Sequence, residues 1–313
     1  MRRRVVDKGW RCVYSELMDR RILIFGSTGR TGQVLREMAV RAGYDVLAPL
    51  HAECPLEQAE LVSDLVLGSS ASLVVNCAAI SGLEACADNP LQAHLVNAVA
   101  PAAMALACRH TGARFVHLST DYVLSGHKPG LKDESTKCKP ISCYGESKRE
   151  GELQVLEALP AAVVARVSWV CGNPRKPSFI ESTVARALAG QSLAAVADKY
   201  SLPTDAADIA RAVLELGERD YGGVVHLTSV GEPLSWWQCA VLALQAAVEQ
   251  GALPEVPPVE KQLLEAVPFF REPRPRHTAM NSARLTTQLG IAMPGAADTV
   301  AAVVRRYLAA QHG

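Results

Sequence analysis

Short apolar runs alternate with longer segments of helical period over roughly the first two hundred residues. RILIFG (21–26) reads as a buried strand, and TGQVLREMAVRAG (31–43) as a helix with Val34, Leu35, Met38 and Ala39 at helical spacing and Gly43 closing it. YDVLAPL (44–50) is a second strand, PLEQAELVSDLVLG (55–68) a helix opened by proline, and ASLVVNCAA (71–79) a third strand. A long helix over 90–112, a strand ARFVHLST (113–120), a helix starting within ISCYGESKREGE (141–152) and a strand AAVVARVSWV (161–170) complete the series. This alternation predicts βαβ units: an α/β fold with a doubly wound, mostly parallel Rossmann sheet covered by helices on both faces.

Beyond about residue 170 the alternation loosens. FIESTVARALAG, DAADIARAVLELGE and LSWWQCAVLALQAAVEQG read as helices, with short strands near 194–197 and 223–228, a proline-rich stretch over 253–282 and a last helix at about 295–310. The expected division is a dinucleotide-binding domain over 18–170 and a smaller C-terminal substrate-binding part over 171–313, interleaved with the end of the sheet. Residues 1–17 are basic and match neither part, so they read as a disordered extension, with Met18 as the natural start.

Composition narrows the class. With 32 basic and 32 acidic residues the formal net charge is zero, which argues against nucleic-acid and membrane-surface partners for the chain as a whole. The nine cysteines are scattered and include no Cys-x-x-Cys, so neither a disulfide framework nor a zinc site is indicated and a reducing, cytoplasmic setting is expected. No uninterrupted apolar run reaches the ~18 residues of a membrane span.

Chemistry enters with GSTGRTG (26–32), which follows a strand and opens a helix. Gly26 permits the tight turn, Gly29 lets the backbone approach a pyrophosphate, and Gly32 allows close helix–strand packing, while the helix N-terminus favours negative charge. Ser27, Thr28, Arg30 and Thr31 complete the predicted cofactor loop. An NAD site usually carries a carboxylate about 20 residues on. Here strand two ends LAPLHAE, and the missing carboxylate, with His51 and Arg30 placed to face a 2′-phosphate, favours NADP(H) over NAD(H).

The second signal is a tyrosine and a lysine one helical turn apart, Tyr144 and Lys148, 24 residues after Thr120. Alone the pair is weak, since about one such sequence in five holds a Tyr with a Lys four places on by chance. Beyond the carboxyl end of strand four, Ser119, Thr120 and Asp121 fall where an open α/β sheet binds ligands. A lysine ammonium beside a phenol favours the phenolate, and a threonine hydroxyl can bond the same substrate oxygen.

In GSTGRTG, VVNCAA, LVNAVAP, LSTDYV, CYGESKREGE, ARVSWVCG, DKYSLPT and EPRPRHTAMNS, taken in order, the chain resembles the extended short-chain dehydrogenases and, within them, the dTDP-4-dehydrorhamnose reductase (RmlD-like) family. The resemblance covers about residues 20–310. It implies a catalytic triad of Thr120, Tyr144 and Lys148, with Lys148 also bonding the nicotinamide ribose. Asn76, Ala78, Ala79 and Asn97 would line the cofactor. It further implies reduction of the 4-keto carbon of a nucleotide-linked 6-deoxy sugar, with Tyr144 giving the proton. On the substrate side it points to Ser119, Asp121, Pro203 and Thr204, and to a C-terminal basic run in which Arg271, Arg274, Arg276 and His277 suit a diphosphate. Trp169 and Trp236 are candidates to stack on a base or sugar, or else pack in the core. Cys143 reads as space-filling rather than reactive. The resemblance admits Mg2+, for which no segment here identifies ligands, and a homodimer.

Departures concern the substrate: Leu124 stands in place of a Phe, Thr278 in place of a Ser, and ISGLE and ECPLE replace the family's runs after strands three and two. Two rival readings stay open on the sequence. One is a non-catalytic NADP-binding subunit resembling the regulator of methionine adenosyltransferase; the other is a nucleotide-sugar epimerase or dehydratase, which would consume no cofactor.

Overall fold

The structure, a computed structural model, describes residues 20–311. The extension expected over 1–17 and the start at Met18 lie outside the described residues. Six strands form one sheet: β1 (Arg21–Phe25), β2 (Asp45–Leu47), β3 (Leu73–Asn76), β4 (Arg114–Thr120), β5 (Val163–Val167) and β6 (Gly223–Leu227). Their order is β6-β5-β4-β3-β1-β2 and every pairing is parallel. After β1 the chain goes first to one side, to β2, and then to the other, to β3. Ligands bind at such a switch point, beyond the strands' carboxyl ends.

The helices are α1 (Arg30–Arg41), α2 (Ala59–Gly68), α3 (Leu83–Asp88), α4 (Pro90–Thr111), α5 (Cys143–Ala158), α6 (Phe179–Leu188), α7 (Ala206–Gly217), α8 (Trp236–Glu249), α9 (Ala283–Leu289) and α10 (Ala296–Gln311). A parallel sheet needs cover on both faces. On one face Leu35 and Ala39 of α1 and Ile209, Val213 and Leu216 of α7 pack on Ile22, Ile24, Val75 and Val116. On the other, Val62 and Val66 of α2, Met104 of α4 and Val155 of α5 pack on Leu23, Phe25, Val74 and Phe115. A separate cluster joins α6, α8 and α10 through Ile180, Val184, Cys239, Ala243, Val303 and Val304.

Several elements differ from the sequence reading for identifiable reasons. Helix α2 begins at Ala59, not at Pro55, because the preceding loop folds back on itself: Leu50 O accepts from the N–H groups of Glu53 and Cys54, both at 3.0 Å, and Cys54 and Leu56 are buried. The strand expected to run to Val170 stops at Val167, and Trp169 turns the chain with φ +40°. The proline-rich stretch supplies a strand, Val259–Gln262, paired in parallel with Leu193–Val196, and α9 follows directly after it.

Helix α4 carries a π turn at Leu95–Val99. Pro101 has no N–H for the carbonyl of Asn97, four residues earlier, so that carbonyl is freed from the helical ladder. It meets α5 at Gly151, where a Cβ would sit 2.1 Å from Asn97 O. Gly151→Ala is therefore expected to lower the melting temperature by roughly 4–10 °C, from about 2–3 kcal/mol of overpacking. A calorimetric melt within a degree of the parent would show that the contact relaxes freely.

Candidate active site

The glycine loop bends at Gly26, whose φ of +77° lies in the left-handed region that glycine tolerates. A Cβ there would lie 2.6 Å from Ala78 N, and one at Gly32 would lie 2.1 Å from Gly26 O. The loop is thus pressed against the residues after β3, and α1 starts directly behind it. Thr28, Gly29, His51, Ala78 and Ala79 line a cavity of about 370 Å3 together with Gly26. A second cavity of about 380 Å3 adjoins it, sharing Gly29, Cys77 and Ala79, and is lined by Arg30, Thr31, Ser119, Thr120, Asp121, Tyr144, Lys148 and Trp169. The two form one crevice along the carboxyl ends of β1, β3 and β4. This cradle, closed to any side chain at Gly26 and Gly32 and backed by a helix N-terminus, fits a dinucleotide pyrophosphate.

Three cofactor expectations need correction. Arg30 does not join His51 at a common phosphate: its guanidinium donates to Lys176 O at 3.0 Å and Pro177 O at 3.1 Å, on the second cavity, while His51 lines the first. The second concerns the carboxylate: none directly follows strand two, but Glu57, carried by the folded-back loop before α2, lines the first cavity. Its Oε1 accepts from Gln92 at 2.8 Å, whereas Oε2 is buried and has no partner. The Gln92 bond, with a smaller contribution from His51, holds Glu57 below the usual carboxylate range. Finally, Asn76 and Asn97 stand behind the wall. Asn97 bonds both main-chain groups of Ile80 at 2.9 Å and Ser147 at 3.0 Å, and so shapes the lining without being part of it. Ser27 and Gly32 are likewise buried.

The triad residues converge on the second cavity. Thr120 ends β4, and its Oγ1 accepts from Tyr122 N at 3.2 Å, capping a tight turn. Ser142 caps α5 by accepting from Gly145 N at 3.2 Å. A Cβ on Gly145 would lie 2.4 Å from Tyr122 O, so the helix start sits flush on that turn and the rings of Tyr122 and Tyr144 meet edge to face at 5.8 Å. Burial pushes the Tyr144 phenol above its ordinary value, and a hydrogen bond with Thr120 opposes this. Asp121, 3% exposed, accepts from Ser168 Oγ at 3.0 Å; burial raises its carboxyl against the opposing charge of Lys199.

Lys148 departs from expectation. It is 1% exposed, and its Nζ turns to β4, donating to Leu118 O at 2.7 Å and lying 3.2 Å from His117 Nε2. Burial lowers it to about 8. The carboxylate of Asp121 raises the Tyr144 phenol further, and the expected lowering by a lysine ammonium is not present in this state.

A family profile described as the RmlD substrate binding domain matches residues 20–309. The chain belongs to this family. It is 30% identical over 277 residues to the dTDP-4-dehydrorhamnose reductase of Escherichia coli K12, covering 85% of this chain and 89% of that one. It is 29% identical over 279 residues to the dTDP-4-dehydrorhamnose reductase of Aggregatibacter actinomycetemcomitans, covering 87% and 94%. The crystal structure of a dTDP-4-dehydrorhamnose reductase from Clostridium acetobutylicum shares the fold with a TM-score of 0.84 at 24% identity, covering 94% of this chain and all of that one.

On the substrate side this RmlD-family chain differs from the sequence reading. Each predicted arginine already has a carboxylate partner: Arg271 pairs with Asp88 at 2.9 Å, Arg274 with Glu84 at 3.0 Å, and Arg276 with Asp198 at 3.3 Å and Glu265 at 3.1 Å. All three line a separate hollow of about 320 Å3, and Arg274 also lies 3.7 Å over the ring of Phe270. His277 stacks on Tyr200 at 5.2 Å. Pro203 and Thr204 are buried, Pro203 O accepting from Ser229 at 2.7 Å and Thr204 bonding Thr228 at 3.3 Å, and they line neither cavity. Trp169 does line the second cavity and stacks on Trp236 at 5.8 Å; Trp236 packs among Phe179 and Phe270. Cys143 donates to Cys86 O at 3.1 Å and burial raises its thiol, in keeping with a space-filling role.

Four residues at or behind the site had no sequence reading: Glu57, His117, Glu152 and Lys199. Lys199 is 2% exposed, donates to Pro275 O at 2.7 Å and lies 4.9 Å over the Tyr122 ring, tying the arginine loop to the reaction cavity. A charged or titratable residue inside an otherwise apolar run, as in FVHLST, was the available signal for His117.

Proposed function

We propose that this RmlD-family chain reduces the 4-keto group of a nucleotide-linked 6-deoxy sugar, with NADPH as the donor. The observation that carries the reading is the convergence of Tyr144 and Thr120 on a cavity continuous with the glycine-loop crevice. The glycine loop, the α1 N-terminus, Thr28, Ala78, Ala79 and Lys148 would hold the dinucleotide, which supplies hydride when bound. Thr120 orients the carbonyl through its hydroxyl, and Tyr144 holds the proton that passes to the developing alkoxide. A phenol whose proton is held tightly, as burial ensures here, stays loaded as the acid until charge develops on the substrate. The choice of NADPH is supported by His51, a histidine lining the first cavity.

The test is oxidation of NADPH over a panel of dTDP-, GDP- and UDP-linked 4-keto sugars. Stoichiometric oxidation with the dTDP compound, and a KM for NADPH at least about tenfold below that for NADH, is the expected result. Sugar interconversion without net oxidation would mark an epimerase, and no reaction with any member, alongside tight binding of NADP+, would mark a regulator.

A further inference from the structure

His117 lies in the middle of β4, is fully buried, and has both ring nitrogens engaged. Nδ1 is 3.1 Å from Asn76 Nδ2, and Nε2 is 3.2 Å from Lys148 Nζ. A neutral imidazole has one donor and one acceptor, and which is which follows from its neighbours. The orientation of Asn76 is fixed independently, because its Oδ1 receives the Ala78 N–H at 2.9 Å. The amide NH2 therefore faces His117, and Nδ1 accepts. The single ring proton then sits on Nε2, aimed at Lys148. An ammonium there has no lone pair, and two N–H groups would confront each other at 3.2 Å. A neutral amine accepts from Nε2–H and still donates to Leu118 O at 2.7 Å. A doubly protonated ring is disfavoured too, since Asn76 presents no acceptor to Nδ1.

We propose that Asn76 fixes the tautomer of His117, and that His117 in turn disfavours the ammonium form of Lys148 while the cofactor is absent. His117 is a positioning residue, acting on the reaction cavity only through Lys148. The other groups around Lys148 leave this balance in place. Cys77, beyond β3, is kept protonated by burial, which pushes its thiol to about 12. Glu152, one turn on in α5, favours the ammonium, but its carboxylate is already bound by Arg166, Ser119 and Arg149. Tyr144, one turn back, is itself held neutral. Burial lowers both Lys148, to about 8, and His117, well below its ordinary value, in the same direction as the hydrogen-bond geometry.

On the reductase reading, ribose hydroxyls add acceptors at Nζ, so cofactor binding draws a proton onto Lys148. Above about pH 8 the charge that acidifies Tyr144 is then present chiefly in the loaded enzyme. Two measurements on the enzyme without substrate test this. Long-range 1H–15N correlation on histidine-labelled protein is expected to place the His117 proton on Nε2, and Asn76→Asp, whose carboxylate accepts, to move it to Nδ1. Titration calorimetry with NADP+ near pH 8.5, in two buffers of different ionisation enthalpy, is expected to show uptake of about half a proton or more. A proton on Nδ1 in the parent protein, or cofactor binding without proton uptake, would overturn the proposal. Absence of turnover with every sugar would instead overturn the reductase reading and leave the tautomer result standing.

Discussion

Tyr144→Phe is expected to fold, bind cofactor and lose turnover by roughly a hundred- to ten-thousand-fold. The substitution removes one oxygen and keeps the ring, so the edge-to-face contact with Tyr122 at 5.8 Å survives. Thr120 loses its bond with the phenol but retains its contacts with Asp121 Oδ1 at 3.3 Å and Tyr122 N at 3.2 Å, so no buried group in the turn is orphaned. On the proposed mechanism, what disappears is the proton that Tyr144 would give to the alkoxide. The informative comparison is kcat against the dissociation constant for NADP+ and the melting temperature. An unchanged melt and cofactor affinity with collapsed kcat is the expected pattern, and near-parental kcat would remove Tyr144 from the chemistry.

Glu152→Leu is expected to be among the most destabilising single changes at the site, at about 3–5 kcal/mol, because it strands a buried guanidinium. Glu152 and Arg166 are 0% and 2% exposed and joined by two bonds of 2.8 Å, with Ser119 Oγ adding a third contact to the carboxylate at 2.6 Å. Burial alone would raise the Glu152 carboxyl, yet Arg166, Ser119 and Arg149 hold it below its usual range, so the pair is charged as it stands. Arg166→Met should be damaging for the mirror-image reason. The double variant should recover most of the loss, since neither charge is then left behind. Urea denaturation of the two single variants and the double one reads the coupling directly; simple additivity of the two losses would show that the pair does not act as a unit. Because Ser119 lies at the reaction cavity, the single variants should also misplace Thr120.

The parts of the site that sequence made legible are those built locally. Gly26, Gly29, Thr120, Tyr144 and Lys148 sit at strand ends or a helix start, and the βα periodicity alone puts such positions on one edge of a parallel sheet. The parts that escaped depend on distant partners. Arg274 looked like a diphosphate ligand because Glu84, its partner 190 positions away, cannot be seen from the basic run itself. His117 matters only through Asn76 and Lys148, 41 and 31 positions off. The carboxylate of the cofactor pocket was missed because a fixed offset of about 20 residues assumes a strand and turn of ordinary length, whereas the loop before α2 doubles back and presents Glu57 instead. In the fold, the break at Trp169 and the π turn before Pro101 are local irregularities that a period of 3.6 or 2 does not report.

The position of β6 has a consequence for how the chain comes to be folded. Residues 223–227 close the sheet against β5, and α7 covers β1, β3 and β4 only once residues 206–217 exist. During synthesis, the segment from 171 to 227 takes on the order of 3–11 seconds to emerge at typical elongation rates. Throughout that interval VVARV, the strand β5, is an open apolar edge with an uncovered face, the kind of surface that pairs with other chains. The sheet is therefore left with an open β5 edge until β6 is made, and the nascent chain exposes its most pairing-prone surface after the glycine loop and the Tyr144 helix have already been made.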